Sequence, residues 1–155
     1  MGEIRLTPAQ QAVVDDRGGA LLVSAAAGSG KTKVLVDRLL AQVCDPEHPA
    51  NLDDFLMITY TKAAAAELRG KIAAELSKRL AAEPENRHLQ RQTTRIYLAQ
   101  ISTVHAFCAS ILRDYAHLLD IPADFRVAEE QEAAELRQEV FDALMEQCYA
   151  ALNED

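Results

Sequence analysis

Tryptophan is absent from this 155-residue chain, and aromatic residues make up only 5 % of it. Any core must therefore be built from aliphatic side chains. No apolar run approaches the ~20 residues of a membrane span, and the N-terminus carries no signal-peptide pattern, so neither a membrane-spanning nor a secreted protein is expected. Cysteine is sparse. Cys44, Cys108 and Cys148 are an odd number and too widely spaced for a paired-cysteine metal site, so they are expected to be buried thiols in a reducing cytoplasm. Glycine and proline are also few, six and five residues, which excludes a low-complexity chain. What is present is 49 % apolar and 26 % charged, the balance of a globular domain long enough to bury a core.

Positive charge is in deficit overall, with 16 basic against 24 acidic residues and a net charge of −8. That total opposes nucleic-acid binding by the molecule as a whole, but the distribution is uneven. Residues 62–100 carry eight basic side chains (Lys62, Arg69, Lys71, Lys78, Arg79, Arg87, Arg91, Arg95) against four acidic ones, between two acidic flanks. A basic middle can put positive potential along one groove, or it can be a set of solvated helix faces.

The scarce glycines are concentrated, with Gly18, Gly19, Gly28 and Gly30 falling within thirteen positions. Ala25-Ala26-Ala27-Gly28-Ser29-Gly30-Lys31-Thr32 follows an apolar run, Ala20 to Ser24, and opens an amphipathic segment through Val43. Strand, glycine-rich turn and helix in that order form a phosphate-binding loop of the Walker A kind, with Ala25 where the general pattern has glycine. Small residues let the backbone curl with its N–H groups inward, and the helix N-terminus adds partial positive charge. Ala27, Gly28, Ser29, Gly30, Lys31, Thr32 and Lys33 are the expected nucleotide contacts. Lys31 would reach the β- and γ-phosphates, and the Thr32 hydroxyl would ligate Mg²⁺.

Around this loop the chain alternates. Thr7 and Pro8 read as the cap and first residue of a short helix. Phe55 to Thr59 reads as a strand covered on both faces. Thr61 then caps a helix with an apolar stripe at Leu68, Ile72, Leu76 and Leu80 and with i,i+4 pairs Glu67–Lys71 and Glu75–Arg79. Arg87 to about Leu98 reads as a basic helix and Gln100 to Val104 as a third strand. His105 to Leu119 follows as a helix with Phe107, Ile111, Leu112, Tyr115 and Leu119 inward. After a connector, Ile121 to Phe125, an acidic amphipathic helix runs from Glu129 to about Leu152. Its apolar face is Leu136, Val140, Phe141, Leu144, Met145, Cys148, Tyr149 and Leu152. The pattern predicts an α/β fold with a parallel sheet flanked by helices, then an all-helical segment.

Four segments, in order, resemble the first motifs of superfamily 1A DNA helicases, the UvrD/Rep/PcrA kind. Leu6-Thr7-Pro8-Ala9-Gln10 is similar to the glutamine motif, and Ala25 to Thr32 to motif I, where that family tolerates alanine at the first position. Thr59-Tyr60-Thr61-Lys62-Ala63-Ala64-Ala65-Ala66-Glu67-Leu68-Arg69 is similar to motif Ia. Ile101-Ser102-Thr103-Val104-His105-Ala106-Phe107-Cys108 is similar to motif Ib. The alanine-rich motif Ia, the motif Ib segment and Leu119 to Glu130 most resemble the AddA-like helicase–nuclease branch. The resemblance implies a partial RecA-like P-loop NTPase domain 1A over 1–118 and the start of helical subdomain 1B over 119–155. It implies ATP and Mg²⁺ as cofactors, with Gln10 reading adenine. Tyr60, Thr61, Lys62, Thr103 and His105 would contact single-stranded DNA, Lys62 standing where the family has asparagine. It also implies a cytoplasmic bacterial enzyme of double-strand-break repair with an AddB-like partner.

One element of the chemistry is missing from the sequence. A helicase needs a strand ending in Asp-Glu, whose carboxylates hold Mg²⁺ through water and position the attacking water. Asp53-Asp54 precede a strand, and Glu129-Glu130 open a helix. With that pair and a second lobe lacking, this chain is expected to bind Mg-ATP and to hydrolyse it poorly or not at all alone. Two other readings are a small P-loop metabolite kinase and a non-enzymatic helical interaction module.

Overall fold

The computed structural model describes residues 5–122 and 124–152. Its elements follow the local chemistry closely. Helix α1 (Pro8–Asp15) starts at Thr7, whose side chain accepts from the Gln10 N–H while the Gln10 side chain accepts from the Thr7 N–H, a complete capping box. Helix α2 (Lys31–Val43) follows the glycine loop. Strand β1 (Leu56–Thr59) leads through Thr61, which caps by accepting from Ala64 N–H, into helix α3 (Lys62–Ala82). Asn86 caps helix α4 (Arg87–Arg95) through the His88 and Leu89 N–H groups. Strand β2 (Gln100–Thr103) then runs into helix α5 (Val104–Asp114), and helix α6 (Glu130–Leu152) comes last.

β1 and β2 form a two-stranded parallel sheet in the register Leu56↔Gln100 to Thr59↔Thr103, with α3 and α4 in the crossover between them. Parallel strands require such a crossover. The core is aliphatic, as a chain poor in aromatics dictates. Leu40 and Val43 of α2, Leu52, Ile72 and Leu76 of α3, Leu89 of α4 and Ile101 of β2 pack together, each at most 4 % exposed. Leu68 belongs to the same cluster, and Leu80 packs against it from the side. The Glu67–Lys71 and Glu75–Arg79 pairs form on the outer face of α3. Lys71 holds the Glu67 carboxyl below its ordinary range.

The core also contains one polar side chain with no exposure at all, Gln92 of α4. Its Oε1 accepts from the Leu52 N–H at 2.9 Å, and its Nε2 donates to Asn51 Oδ1 at 2.9 Å. Beside it, Arg95 donates to both Asp53 carboxylate oxygens at 2.7 and 2.8 Å. That contact lowers the Asp53 pKa. The contribution of this pair to stability is therefore present above about pH 4 and is lost as pH falls through the depressed value.

Three sequence expectations are corrected. Ala20 to Ser24 pairs with no strand among the described residues, and Leu21, Leu22 and Val23 are 45 %, 93 % and 42 % exposed. Apolar character specifies that a segment wants burial, but a strand also needs a neighbour's N–H and C=O groups, and β1 and β2 direct theirs to each other. For a related reason β1 is covered on one face only. Met57 is buried while Leu56 and Ile58 are exposed. The cysteines are not uniformly buried: Cys44 is half-buried, and Cys108 and Cys148 are exposed.

The chain divides into two compact units, one ending at Ser110 and the other starting at Ile111. In the second unit, Tyr115, Leu119, Leu136, Val140, Phe141, Leu144 and Tyr149 are exposed, and so is Ile111, so the two apolar faces read from the sequence are uncovered. The Leu152 side chain and Ala123 lie outside the described residues. The Arg126–Glu132 and Arg137–Glu130 ion pairs and the Arg113 guanidinium, 5.3 Å from the centre of the Phe125 ring, provide local order in this unit. Among the described residues, no helix is long and apolar enough to cross a membrane, and no cluster of metal-binding side chains occurs.

Candidate functional site

The glycine loop turns on two left-handed residues, Gly28 at φ 78° and Gly30 at φ 83°. An L side chain is strained at either position. Gly30 is the N-cap of α2 and supplies no side-chain hydrogen bond to it. The N–H groups of Lys31, Thr32 and Lys33, the first turn of a thirteen-residue helix, therefore face outward without a cap, the usual condition for anion binding. The first helical bond is Val34 N–H to the Gly30 carbonyl at 3.0 Å.

Without a ligand the loop satisfies itself. The Lys31 ammonium donates to the Ala25 carbonyl and to the Ala26 carbonyl, the latter at 2.8 Å. Ser29 N–H donates to the Ala26 carbonyl at 3.3 Å. Ala27, Lys31 and Thr32 are exposed, Thr32 at the second helical position. Lys33 points elsewhere, its ammonium 2.6 Å from Asp37 one turn along α2.

Gln10 joins α1 to this loop. Its Oε1 accepts from Thr7 N–H at 2.9 Å, and its Nε2 donates to the Ser29 carbonyl at 3.2 Å. A cleft of about 270 Å³ opens between them, lined by Gln10, Val13, Ser24, Ala25, Ser29 and Lys31 among others. A second cleft of about 460 Å³ shares Lys31 and Val13 and extends over Leu21, Val23, Thr32 and Arg38. Arg38 fixes the two helices by donating to the Val13 carbonyl at 2.5 Å, with Asp16 3.6 Å away. The residues fit a Mg-nucleotide: an uncapped helix N-terminus, a lysine resting on carbonyls that a phosphate could replace, and an exposed hydroxyl beside it.

The remaining candidates lie at the C-terminal ends of β1 and β2, which the Thr59↔Thr103 pairing brings side by side. Tyr60 is 99 % exposed there, and Lys62 and His105 are exposed in the first turns of α3 and α5. Thr61 and Thr103 have structural duties. Thr61 caps α3, and buried Thr103 accepts from Ala106 N–H at 3.3 Å at the start of α5. Two helix N-termini thus open at one edge of the sheet.

The basic middle of the chain is mostly engaged internally. Lys71, Lys78, Arg79 and Arg95 are ion-paired, and Arg69 is tied to backbone carbonyls. Lys62, Arg87 and Arg91 have no ion-pair partner among the described residues. Sequence reasoning assigned no role to Arg69, Arg38 or Gln92. For Arg69 a signal was available. It lies four residues after Ala65 and three before Ile72, on the face of α3 that the core occupies.

Residues 6–154 match the UvrD/REP helicase N-terminal domain, and the chain belongs to that family. Within it, the chain is 45 % identical over its whole length to the AddA-type ATP-dependent helicase/nuclease of Lachnoclostridium phytofermentans. It is 47 % identical over 96 % of its length to the protein of the same name in Desulfitobacterium hafniense, and 40 % over 99 % to the one in Clostridium novyi. The chain spans 11–12 % of the length of these relatives. Membership in a helicase family sets aside the metabolite-kinase and helical-module readings.

Proposed function

We propose that this chain is the nucleotide-holding portion of an ATP-dependent DNA helicase/nuclease of the AddA type, with a partial RecA-like P-loop fold. It works on DNA ends in bacterial double-strand-break repair beside an AddB-like partner. The observation that carries the reading is the loop itself. Two left-handed glycines, an uncapped helix N-terminus and Lys31 sit within a domain whose relatives are named ATP-dependent. A cytoplasmic setting agrees with three cysteines that form no disulfide.

In this reading the outward N–H groups at the start of α2 hold the β-phosphate, and Lys31 leaves the Ala25 and Ala26 carbonyls to pair with phosphate oxygen. The Thr32 hydroxyl is the chain's ligand for Mg²⁺, which when bound neutralises phosphate charge. Gln10 has one N–H and one lone pair uncommitted, enough for a two-point contact with an adenine edge. Because its other bonds run to Thr7 and Ser29, base recognition and loop position are mechanically joined. Single-stranded DNA crosses the strand ends, where Tyr60 stacks a base and Lys62, His105 and the N-termini of α3 and α5 face its phosphates. Hydrolysis needs the water-positioning carboxylate pair, which this chain lacks, so it binds nucleotide without turning it over.

The DNA half is tested by fluorescence anisotropy of a labelled oligothymidylate on the 155-residue chain. Binding is expected to weaken as salt rises from about 50 to 200 mM. Tyr60→Ala is expected to cost about 5- to 100-fold in affinity, the range for one lost stacking contact. Salt-independent binding, or a Tyr60→Ala variant equal to wild type, would sink the assignment. Helicase-like turnover of ATP by this chain would refute the division of labour.

A further inference from the structure

We propose that Arg69 is a positioning residue that sets the height of β2 against β1, and so the spacing between the two candidate DNA-contacting segments; this rests on the DNA reading above. Arg69 lies two helical turns into α3 and is partly buried. Its guanidinium donates to three carbonyls in succession. Nη1 reaches Ile96 O at 2.5 Å, at the C-terminus of α4. Both nitrogens lie 3.4 Å from Ala99 O, just before β2, and Nη2 reaches Ile101 O at 3.0 Å, inside β2. One planar fork thus grips the end of a helix, the linker and the strand.

The sheet needs such a grip. It has two strands of four residues each, a pairing of marginal stability on its own. Because side chains alternate with period two, sliding β2 by two residues keeps Ile101 and Thr103 on the inward face. The apolar pattern therefore does not forbid it. Such a slide would carry Thr103 and His105 about 6.6 Å along β1, away from Tyr60 and Lys62. The Arg69 fork does forbid it, since its carbonyls belong to one register. On the α3 side the rigid connection is short. Ala65, Leu68 and Ile72 seat the helix in the core around Arg69, and Thr61 caps its start beside Tyr60. Arg69 also occupies the Ile101 carbonyl, which closes that point of β2 to any other backbone partner.

The test is Arg69→Lys in the 155-residue chain, because lysine keeps the charge and the aliphatic stem but cannot span three carbonyls. Amide hydrogen exchange by NMR is expected to show about tenfold lower protection in β2, with α2 unchanged. Affinity for oligothymidylate is expected to fall about 5- to 10-fold with an unaltered salt slope, because no phosphate contact is lost. Mg-ATP affinity stays at the wild-type value. Unchanged β2 protection overturns the proposal. So does a salt slope reduced by about one, which would make Arg69 itself a phosphate contact. A parallel fall in Mg-ATP affinity also overturns it, as a general loss of structure. If the wild-type chain binds no oligonucleotide, the DNA reading and the functional half of this proposal fall together. If it binds and the exchange contrast is missing, the proposal falls alone.

Discussion

Lys31→Ala is expected to lower the affinity of this chain for Mg-ATP by about 10- to 100-fold, the equivalent of the roughly 1.5–3 kcal/mol of a hydrogen bond to a charged group. The change removes the ammonium that reaches the loop carbonyls, and it leaves the backbone geometry intact. Gly28 and Gly30 still define the turn, and α2 still presents its uncapped N–H groups. The folded state is not expected to weaken in proportion, because Lys31 is exposed and its partners are exposed carbonyls. Isothermal titration with Mg-ATP on wild type and variant, together with a thermal melt of each, separates the two effects. Equal affinities would remove the phosphate-loop assignment, whatever the melts show.

The second large effect is on stability. Gln92→Ala is expected to cost about 3 kcal/mol, from a buried N–H left without an acceptor and the space left by the side chain. The Leu52 N–H loses its acceptor, and Asn51 Oδ1 loses its donor, at a place with no exposure to water. The melting temperature should fall by about 6–12 °C for a chain of this size. Gln92→Met, which restores volume without the amide, should recover only part of the loss. A methionine variant as stable as wild type would mean that the two hydrogen bonds contribute nothing net.

The parts of the fold that were legible in the sequence are those fixed by neighbours along the chain. Thr7 with Gln10, Thr61 with Ala64, and the glycine loop before α2 are interactions over three or four residues, and each formed where expected. The stripe Leu68, Ile72, Leu76 was equally readable, because helical spacing and burial are the same fact seen twice. Contacts across forty positions were not. Nothing in Ala20 to Val23 says which strand should lie beside it, and nothing in the α5 and α6 faces says what should cover them. The basic count between 62 and 100 misled for a physical reason. Charge in sequence does not distinguish an arginine facing solvent from Arg69, whose charge is spent on carbonyls, or Arg95, held by Asp53. At the candidate site, residue types and their places on elements were legible, while the double engagement of Gln10 and the pairing of Lys33 with Asp37 required coordinates.

The polar latch at Gln92 also bears on how the chain reaches this fold. Bringing β1 and β2 together means closing a loop of about forty residues, which costs on the order of 3 kcal/mol of chain entropy before any strand bond forms. Asn51, Leu52 and Asp53 lie just ahead of β1, and Gln92 and Arg95 just ahead of β2, with forty residues between Leu52 and Gln92. Once α4 has docked on that turn, the two strands start a few residues from a shared anchor. Their pairing then becomes a local event, and the effective contact order of the sheet falls from that of a distant parallel pair to that of a short closing step.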